Sequence, residues 1–445
     1  MSAQPAPSQE QPERKRRRRG RGEGSITYRA HLGRWEGKLS LGYNADGKRI
    51  RVSVYGRTKR EVQEKLEQLK QDAREGLPVQ PTKITVREHF EDWLRAKKQS
   101  VTSATYLKYC SLVRTHIEPR IGHIRLHDLD YRQIDLLYEA LDDLGLSRST
   151  VADVAALLRR GLDDAVRKRL IRENPARLAA SRSPGKGKAR YLTQAEIDVF
   201  LRAAKGERLE DFFVVALSTG LRPGELLGLP WDAIDWEQQT LEVRQALHEE
   251  GGRLFLGPPK SQAAYRTISL SDVAIQALRR QRKRQAEERL RAGDKWTNKD
   301  DLVFTDQRGG YARRTNILRR DLRRILNRAA VIRVAERLGY DADQALASNG
   351  PHLPQRALRE GDYLLMPDGR QVQVSRRDLL EGVGLHTFRH THASLLIFAG
   401  VDPKTVSQRL GHEDVAFTLR TYAHIMPGQD RQAARAVDRL LSLPS

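Results

Sequence analysis

The stretch that most constrains this chain lies near its carboxyl end. Residues 385–396 carry leucine and alanine at positions that predict a helix with one apolar side. His386 and Arg389 are three residues apart, so they share a face of that helix. His412 and Tyr422 follow, and the residues between them include apolar side chains that can pack. Two imidazoles, a guanidinium and a phenol arranged in this way suit a phosphodiester as ligand.

A second group of polar residues lies far upstream, at a break between two helices. Gly220 is predicted to end one helix, and Pro223 to occupy the first position of the next. Arg222 therefore lies at a helix junction, where its long side chain can reach out of the core, and Glu225 follows one turn later. Lys260 lies between two short strand-like runs, which predicts a place on or near a hairpin turn.

The order of these residues resembles the tyrosine recombinases, specifically the integrases of phages and integrative elements. The resemblance rests on three short sequence motifs. They are Thr-Gly-Leu-Arg-Pro-Gly-Glu ending at Glu225, His-Thr-Phe-Arg-His-Thr beginning at His386, and Leu-Gly-His ending at His412. It covers residues 83–440. Each residue taken singly has an ordinary explanation as a helix cap or a core group. Their joint occurrence in this order makes the resemblance specific.

The resemblance implies a role for each site residue. Tyr422 is the nucleophile, and its attack on a phosphorus atom of DNA leaves a 3′-phosphotyrosine and a free 5′ hydroxyl. Arg222 and Arg389 hold the negative charge of the transition state with forked, permanently charged donors. Lys260 is the expected general acid for the leaving 5′ oxygen. The phosphotyrosine keeps the energy of the phosphate bond, so religation needs no ATP.

The two histidines of the motif are expected to supply further hydrogen bonds. One of them, His386 or His412, assists Tyr422, whose phenol has an ordinary pKa of about 10 and is a poor nucleophile at neutral pH. Which histidine acts as the base stays open. Glu225 matches the acidic position of the family motif and is expected to orient an arginine or a histidine. No cofactor is expected, and His386 with His390, although four apart, lacks the glutamate of the zinc-protease motif, so no metal is expected.

Two other functions fit parts of the pattern. A non-catalytic DNA-binding regulator could keep the fold, but its mark would be the loss of Tyr422, Arg222 or Arg389, and all three are present. A type IB-like topoisomerase would use the same chemistry to relax DNA without exchanging strands. Against it stands the amino-terminal domain described below, since a topoisomerase needs no second class of DNA site.

The charge of the chain agrees with a nucleic-acid partner. A formal net charge of +23 and a pI near 10.2 favour a polyanion, and nucleic acid over membrane. No run of about 18 apolar residues predicts a transmembrane helix, and the amino terminus lacks an apolar signal segment. Cys110 stands alone, which excludes an intramolecular disulfide. The expected location is cytoplasmic, in association with the nucleoid.

The expected fold is multidomain and mainly α. Residues 1–22 are predicted to be a disordered basic tail that either solubilises the chain or contacts phosphates. Residues 24–78 alternate as three strands followed by a helix that starts at Lys59, and they resemble the arm-type DNA-binding domain of integrases. A solvated sheet face is the alternative. The residues predicted to contact DNA in these two segments are Arg16, Arg17, Arg18, Arg29, Arg34, Lys48, Arg49 and Arg51.

The rest of the chain is predicted to form two further domains. Residues 83–180 resemble the helical core-binding domain of the family, with Trp93 in its core, and residues 181–190 form a basic linker that includes Lys186 and Lys188 as further DNA contacts. Residues 191–445 are the expected catalytic domain, mainly α with one small antiparallel sheet at 239–270. Residues 331–383 look like an insertion containing a hairpin that turns at Pro-Asp-Gly. It is either a tolerated surface loop or a contact with DNA or another subunit.

The resemblance also implies partners. These are double-stranded DNA at attachment sites, three further copies of the chain in a tetramer on DNA, and a directionality factor or a host DNA-bending protein. A last helix is predicted from Asp430 to Leu441, with an apolar stripe that could dock on its own domain or on a neighbouring subunit.

Overall fold

The computed structural model describes residues 24–43, 49–74, 83–185, 189–350 and 352–422. The chain divides into two units, residues 1–186 and residues 187–445. The basic tail, Lys48, Lys186, Lys188 and the predicted helix 430–441 lie outside the described residues, as do the side chains of Arg49 and Arg420.

The first unit begins with an antiparallel sheet of three strands in the order β1 (Ser25–Arg29), β2 (Arg34–Tyr43) and β3 (Arg49–Gly56). Helix α1 (Lys59–Arg74) packs on this sheet through a small apolar core that includes Leu39, Val62 and Leu66. Gly37 allows the close approach, because a Cβ there would lie 2.6 Å from Val62 Cγ1. The predicted arrangement of three strands and one helix is confirmed.

Helices follow in the second part of this unit. They are α2 (Val86–Lys97), α3 (Ser103–Leu112), α4 (Glu118–Ile121), α5 (Tyr131–Asp143) and α6 (Arg148–Arg167). Helix α2 begins with a capping box in which Thr85 and Glu88 bond each other's backbone N–H, as their spacing predicts. Phe90 and Trp93 are buried in the core of this bundle, so the expected core role of Trp93 is confirmed.

The second unit is mainly helical. Its helices are α7 (Gln194–Ala204), α8 (Glu210–Thr219), α9 (Pro223–Leu227), α10 (Asp272–Ala292), α11 (Arg314–Asn316), α12 (Arg323–Leu338), α13 (Ala342–Asn349), α14 (Leu385–Phe398), α15 (Pro403–Leu410) and α16 (Val415–Tyr422). Phe388 of α14 is fully buried and lies 5.1 Å, centroid to centroid, from both Phe200 of α7 and Phe213 of α8. This aromatic cluster fixes α14 against α8, and Arg389 is the next residue along α14.

The strands of the second unit correct one expectation. They are β4 (Ile234–Asp235), β5 (Thr240–Val243), β6 (Ala246–Glu250), β7 (Arg253–Gly257), β8 (Arg266–Ser269), β9 (Tyr363–Leu365) and β10 (Gln371–Gln373). Instead of one sheet at 239–270, strands β4, β5 and β8 form one sheet, and β6 pairs only with β7 as a separate hairpin. The hairpin turn lies at Gly251 and Gly252, both in the left-handed region, which two consecutive glycines favour.

Lys260 is therefore not in a hairpin. It lies in the connection that leaves β7 and enters β8, and these two strands belong to different sheets. Two strands that are neighbours in the sequence, such as β7 and β8, are expected to pair with each other. Here β8 pairs with β5 instead, with Ile268 opposite Leu241. The hairpin predicted at Pro-Asp-Gly is confirmed, because β9 and β10 pair on either side of it. No helix in the described ranges is long and apolar enough to cross a membrane.

Candidate active site

The site begins where α8 ends. Gly220 adopts φ +66°, in the left-handed region that favours glycine, and a Cβ there would lie 2.6 Å from His392 Cδ2. Arg222 occupies the position just before α9, and Pro223 is the first residue of that helix, as the sequence predicts. Arg222 Nη1 donates to Glu225 Oε1 at 2.7 Å, and Arg222 Nη2 donates to the Gly411 carbonyl at 2.7 Å.

Three arginines converge on the carboxyl end of α15. Arg266 Nε donates to the carbonyl of Arg409 at 2.7 Å, and Arg389 Nη2 to that of Leu410 at 2.7 Å. The Gly411 carbonyl, next along the chain, accepts the hydrogen bond from Arg222 Nη2. The last carbonyls of a helix have no partner within it and carry partial negative charge, so they are suitable acceptors for guanidinium groups. One helix end therefore positions all three cations.

Glu225 is the anion that holds two of these arginines. It is 3% exposed and accepts from Arg222 and, at 2.9 Å, from Arg266 Nη2. Burial would raise the pKa of the Glu225 carboxyl, but Arg266 and Arg222 outweigh that effect and bring the pKa below its usual range. Glu225 therefore stays ionised and orients both guanidiniums. One carboxylate among three arginines leaves a net positive charge.

Arg389 is the most buried cation of the group. It is 5% exposed, and its Nη1 donates to the Gly220 carbonyl at 2.8 Å. None of the ion pairs of the described residues joins it to a carboxylate. Burial, and then the nearby Arg222, lower the pKa of its guanidinium to about 9. A buried cation with no carboxylate bonded to it favours an incoming anion, because that anion relieves the cost of its desolvation.

His412 follows Gly411 and faces the same group. Its Nδ1 lies 2.7 Å from the hydroxyl of Thr418, which is fully buried on α16. Burial, Arg389 and Arg222 lower the pKa of the imidazole to about 3, so the ring is neutral at pH 7. With Nδ1 engaged by Thr418, Nε2 is the ring nitrogen left for a ligand.

Tyr422 ends α16 with its hydroxyl inside the protein. It is 1% exposed and packs on Ala393, Ile397 and Leu410. Its Oη lies 2.7 Å from His390 Nδ1. Burial raises the pKa of the phenol to about 12, and nearby Arg389 opposes that rise. The phenol is therefore protonated at neutral pH and lies within electrostatic range of the buried arginine.

The structure brings five of the six predicted catalytic residues together and leaves one apart. His386 belongs to the group, since desolvation and then Arg314, Arg389 and Arg222 lower the pKa of its imidazole. It is also more exposed to solvent than His412. Lys260 is exposed, and none of the hydrogen bonds within the described segments joins its ammonium to this group. Its role as general acid stays a prediction.

Comparison with known proteins agrees with this geometry. Residues 190–339 and 372–428 match the profile described as "Phage integrase family", and residues 85–141 match "Phage integrase, N-terminal SAM-like domain". This chain belongs to the phage integrase family. By that membership it is a tyrosine-type site-specific DNA recombinase. The profile leaves residues 340–371 unmatched, a shorter segment within the predicted insertion 331–383.

Relatives of this phage integrase family member cover almost its whole length. It is 28% identical over 421 residues to a "Tyrosine recombinase XerC-like" protein of Caldanaerobacter subterraneus subsp. tengcongensis, which covers 90% of this chain and 95% of the relative. It is 28% identical to an "Integrase" of Streptomyces ambofaciens, with 87% and 89% covered. A solved complex of the Tn1549 transposon integrase with a circular intermediate DNA has a TM-score of 0.59 at 20% identity, covering 80% of this chain and 99% of that one, which supports a shared fold.

Several residues of the site are missed by the sequence argument. Arg266 shares Glu225 with Arg222, Thr418 holds His412, and Arg314 lies close enough to His386 to affect its pKa. His390 contacts the Tyr422 hydroxyl, whereas its spacing in the sequence suggests only a zinc ligand. A signal for His390 was present: it lies four residues after His386, on the face of α14 that the motif already marks as functional.

The structure describes the side chains of only some of the residues predicted to contact DNA in the first sheet. Arg34 and Arg51 are exposed, and the Arg34 guanidinium lies 4.8 Å from the centre of the Tyr55 ring. Arg29 is half-buried rather than exposed, because its Nε donates to the buried Glu36 carboxylate at 2.6 Å. An arginine already paired in this way is less free to reach a phosphate. Arg16, Arg17, Arg18, Lys48, Lys186 and Lys188 cannot be compared, since they lie outside the described residues.

A buried histidine beneath the site predicts a pH-dependent stability. His392 is 5% exposed; its Nδ1 lies 2.8 Å from the Leu217 carbonyl, and Arg409 Nε donates to its Nε2 at 3.0 Å. Burial and then Arg409 lower its pKa to about 4. The folded pKa is lower than the unfolded value of about 6.5, so between these values the unfolded chain binds the extra proton. We expect this contribution to stability to be complete above pH 6.5 and lost as pH falls towards 4.

The test compares the free energy of unfolding in urea at pH 7 and pH 5. His392→Gln keeps a polar group there but cannot take up a proton, so it should reduce the pH dependence by on the order of 1 kcal/mol per pH unit. The matched control is His352→Gln, at an exposed position of the same unit. An equal pH dependence in the His392 variant and the parent protein would contradict the expectation.

Proposed function

We propose that the protein cuts and rejoins double-stranded DNA at attachment sites through a 3′-phosphotyrosine intermediate on Tyr422, and so integrates and excises a phage genome or other mobile element. The observation that carries this proposal is the set of three arginines on the end of α15, with one carboxylate among them, next to a buried tyrosine. A net positive pocket beside a phenol fits a phosphodiester that the phenol attacks.

The chemistry follows from the charges. Attack on phosphorus gathers negative charge on the two non-bridging oxygens. The guanidinium groups of Arg222 and Arg389 each use two N–H groups on protein acceptors, so each has three left for those oxygens. His386 and the Nε2 of His412 add neutral donors at the rim. Because these donors are already oriented by Glu225 and by helix carbonyls, little reorganisation is needed when the charge develops.

The remaining proposed parts are those of the family. Lys260, exposed in the connection between β7 and β8, would protonate the leaving 5′ oxygen of the bound DNA. The sheet of β1 to β3, with exposed Arg34 and Arg51, would bind a second, arm-type class of site, and the bundle of α2 to α6 would bind near the cleavage point. A tetramer on paired sites, a directionality factor or host DNA-bending protein, and a cytoplasmic, nucleoid-associated location complete the proposal.

The experiment uses the full chain and a nicked attachment-site DNA, taken from the repeated core at the two ends of the element. The nick lets the short 5′ strand diffuse away, so the covalent intermediate accumulates. We expect a protein–DNA adduct that survives detergent, and a released strand whose 5′ hydroxyl accepts phosphate from a kinase without prior phosphatase treatment. Binding without an adduct would support the non-catalytic regulator. Relaxation of supercoiled DNA without strand exchange would support the topoisomerase.

A further inference from the structure

The contact between His390 and Tyr422 involves the phenolic proton of Tyr422, which must leave Oη when that oxygen attacks phosphorus. Oη and Nδ1 are 2.7 Å apart, and both residues are largely withdrawn from solvent. The phenol is protonated at neutral pH, so it can donate this hydrogen bond to Nδ1, which leaves the ring proton on Nε2. The attacking oxygen is therefore already aimed at a ring nitrogen whose lone pair can accept its proton.

We propose that His390 is the base that takes the proton of Tyr422 during strand cleavage, a step that rests on the function proposed above. As the Oη–P bond forms and the P–O5′ bond breaks, the phenolic proton moves to Nδ1, and a separate donor protonates the O5′ leaving group. His390 is then an imidazolium. On religation the 5′ hydroxyl gives its proton back to that donor and attacks the phosphotyrosine, the O–P bond to Tyr422 breaks, and Nδ1 returns its proton to Oη.

The other two histidines are less well placed for this step. His412 Nδ1 is engaged by the Thr418 hydroxyl at 2.7 Å. His386 lies on the solvent-exposed side of the site. In the described part of the chain, the hydrogen bond of the Tyr422 hydroxyl goes to His390 and to neither of them. The Nε2–H of His412 and a ring N–H of His386 can instead donate hydrogen bonds to phosphate oxygens.

The charged and titratable groups around His390 keep its ring neutral before the reaction. His386 and Arg389 lie on the same helix, Tyr422 faces it from α16, and His412 lies close enough for the two imidazoles to interact. Burial and then His386 and Arg389 lower the pKa of His390 to about 4. A neutral ring has its Nδ1 lone pair free. The imidazolium formed in the step lies next to the new phosphodiester, whose negative charge offsets the cost.

The matched variant is His390→Asn. The asparagine Oδ1 can occupy the place of Nδ1 and accept the same hydrogen bond, but an amide does not accept a proton at neutral pH. We expect covalent adduct formation to slow by about 10² to 10⁴, the range of a lost general base, with DNA binding and thermal unfolding close to those of the parent. The rate should also rise about tenfold per pH unit from pH 7 to 9, because only the ionised fraction of Tyr422 can then attack.

A DNA substrate with sulfur in place of the bridging 5′ oxygen separates a base from an acid. A thiolate leaves without being protonated, so this substrate should restore cleavage by Lys260→Ala but not by His390→Asn. The assignment would be overturned if His390→Asn formed the adduct at the parental rate or faster. It would also be overturned if the sulfur-substituted substrate restored cleavage by His390→Asn. The parent protein is assayed beside the variants. If the parent forms no adduct, the proposed function is wrong, and the result does not bear on the role of His390.

Discussion

Tyr422→Phe should abolish the covalent protein–DNA adduct while leaving DNA binding within about threefold of the parent, because only the nucleophilic oxygen is lost. The ring keeps its packing on Ala393, Ile397 and Leu410. The loss of the hydroxyl leaves His390 Nδ1 without its 2.7 Å partner, which should lower the stability by about 1 to 2 kcal/mol. Cleavage should therefore fall below detection in a protein that is still folded at 25 °C.

The measurement is adduct formation on the nicked substrate, with binding followed by gel shift. Tyr311→Phe is the matched control, since its hydroxyl also makes a 2.7 Å hydrogen bond, to Asp300, outside the site. That variant should cleave as the parent does. If Tyr422→Phe still formed an adduct of parental intensity, the nucleophile would be another residue.

Arg389→Lys and Arg222→Lys should both slow cleavage, and the first should be the more damaging. We expect losses on the order of 10³ for Arg389→Lys and 10² for Arg222→Lys, because an ammonium cannot hold two carbonyls and a phosphate oxygen together. The two sites differ in their counter-ion. At position 222 the ammonium would keep the Glu225 carboxylate. At position 389 it would be 95% buried with no carboxylate partner among the described residues, so it would lose its proton readily.

Single-turnover cleavage rates at saturating protein concentration measure this difference. The control is Arg313→Lys, in the same unit, whose guanidinium bonds Glu249 and the Gly252 carbonyl away from the site. Its rate should stay within threefold of the parent. If Arg389→Lys also stayed within threefold, the arginine would serve only to join α8 and α15.

Much of the local structure could be read from the sequence because its causes are local. The capping box at Thr85 involves residues three apart, and the observed helix begins there. The left-handed Gly220 followed by Pro223 marks the junction that presents Arg222. Pairing between strands was predicted less well. Strand-like runs on either side of Lys260 suggested a hairpin turn there, but strand pairing depends on which faces are buried, and β8 pairs with β5 instead of β7.

The residues that could take part in phosphoryl transfer, and the helices that carry them, were determined by the sequence alone. Only the tertiary structure decided which groups meet. The bonds from Arg222 to Gly411 and from Arg389 to Gly220 join residues 189 and 169 positions apart, and no periodicity or spacing encodes such separations. They arise because Phe388 packs α14 on α7 and α8, and because Leu410 at the end of α15 lies against Gly220. The same packing puts His390, rather than His386 or His412, against the Tyr422 hydroxyl.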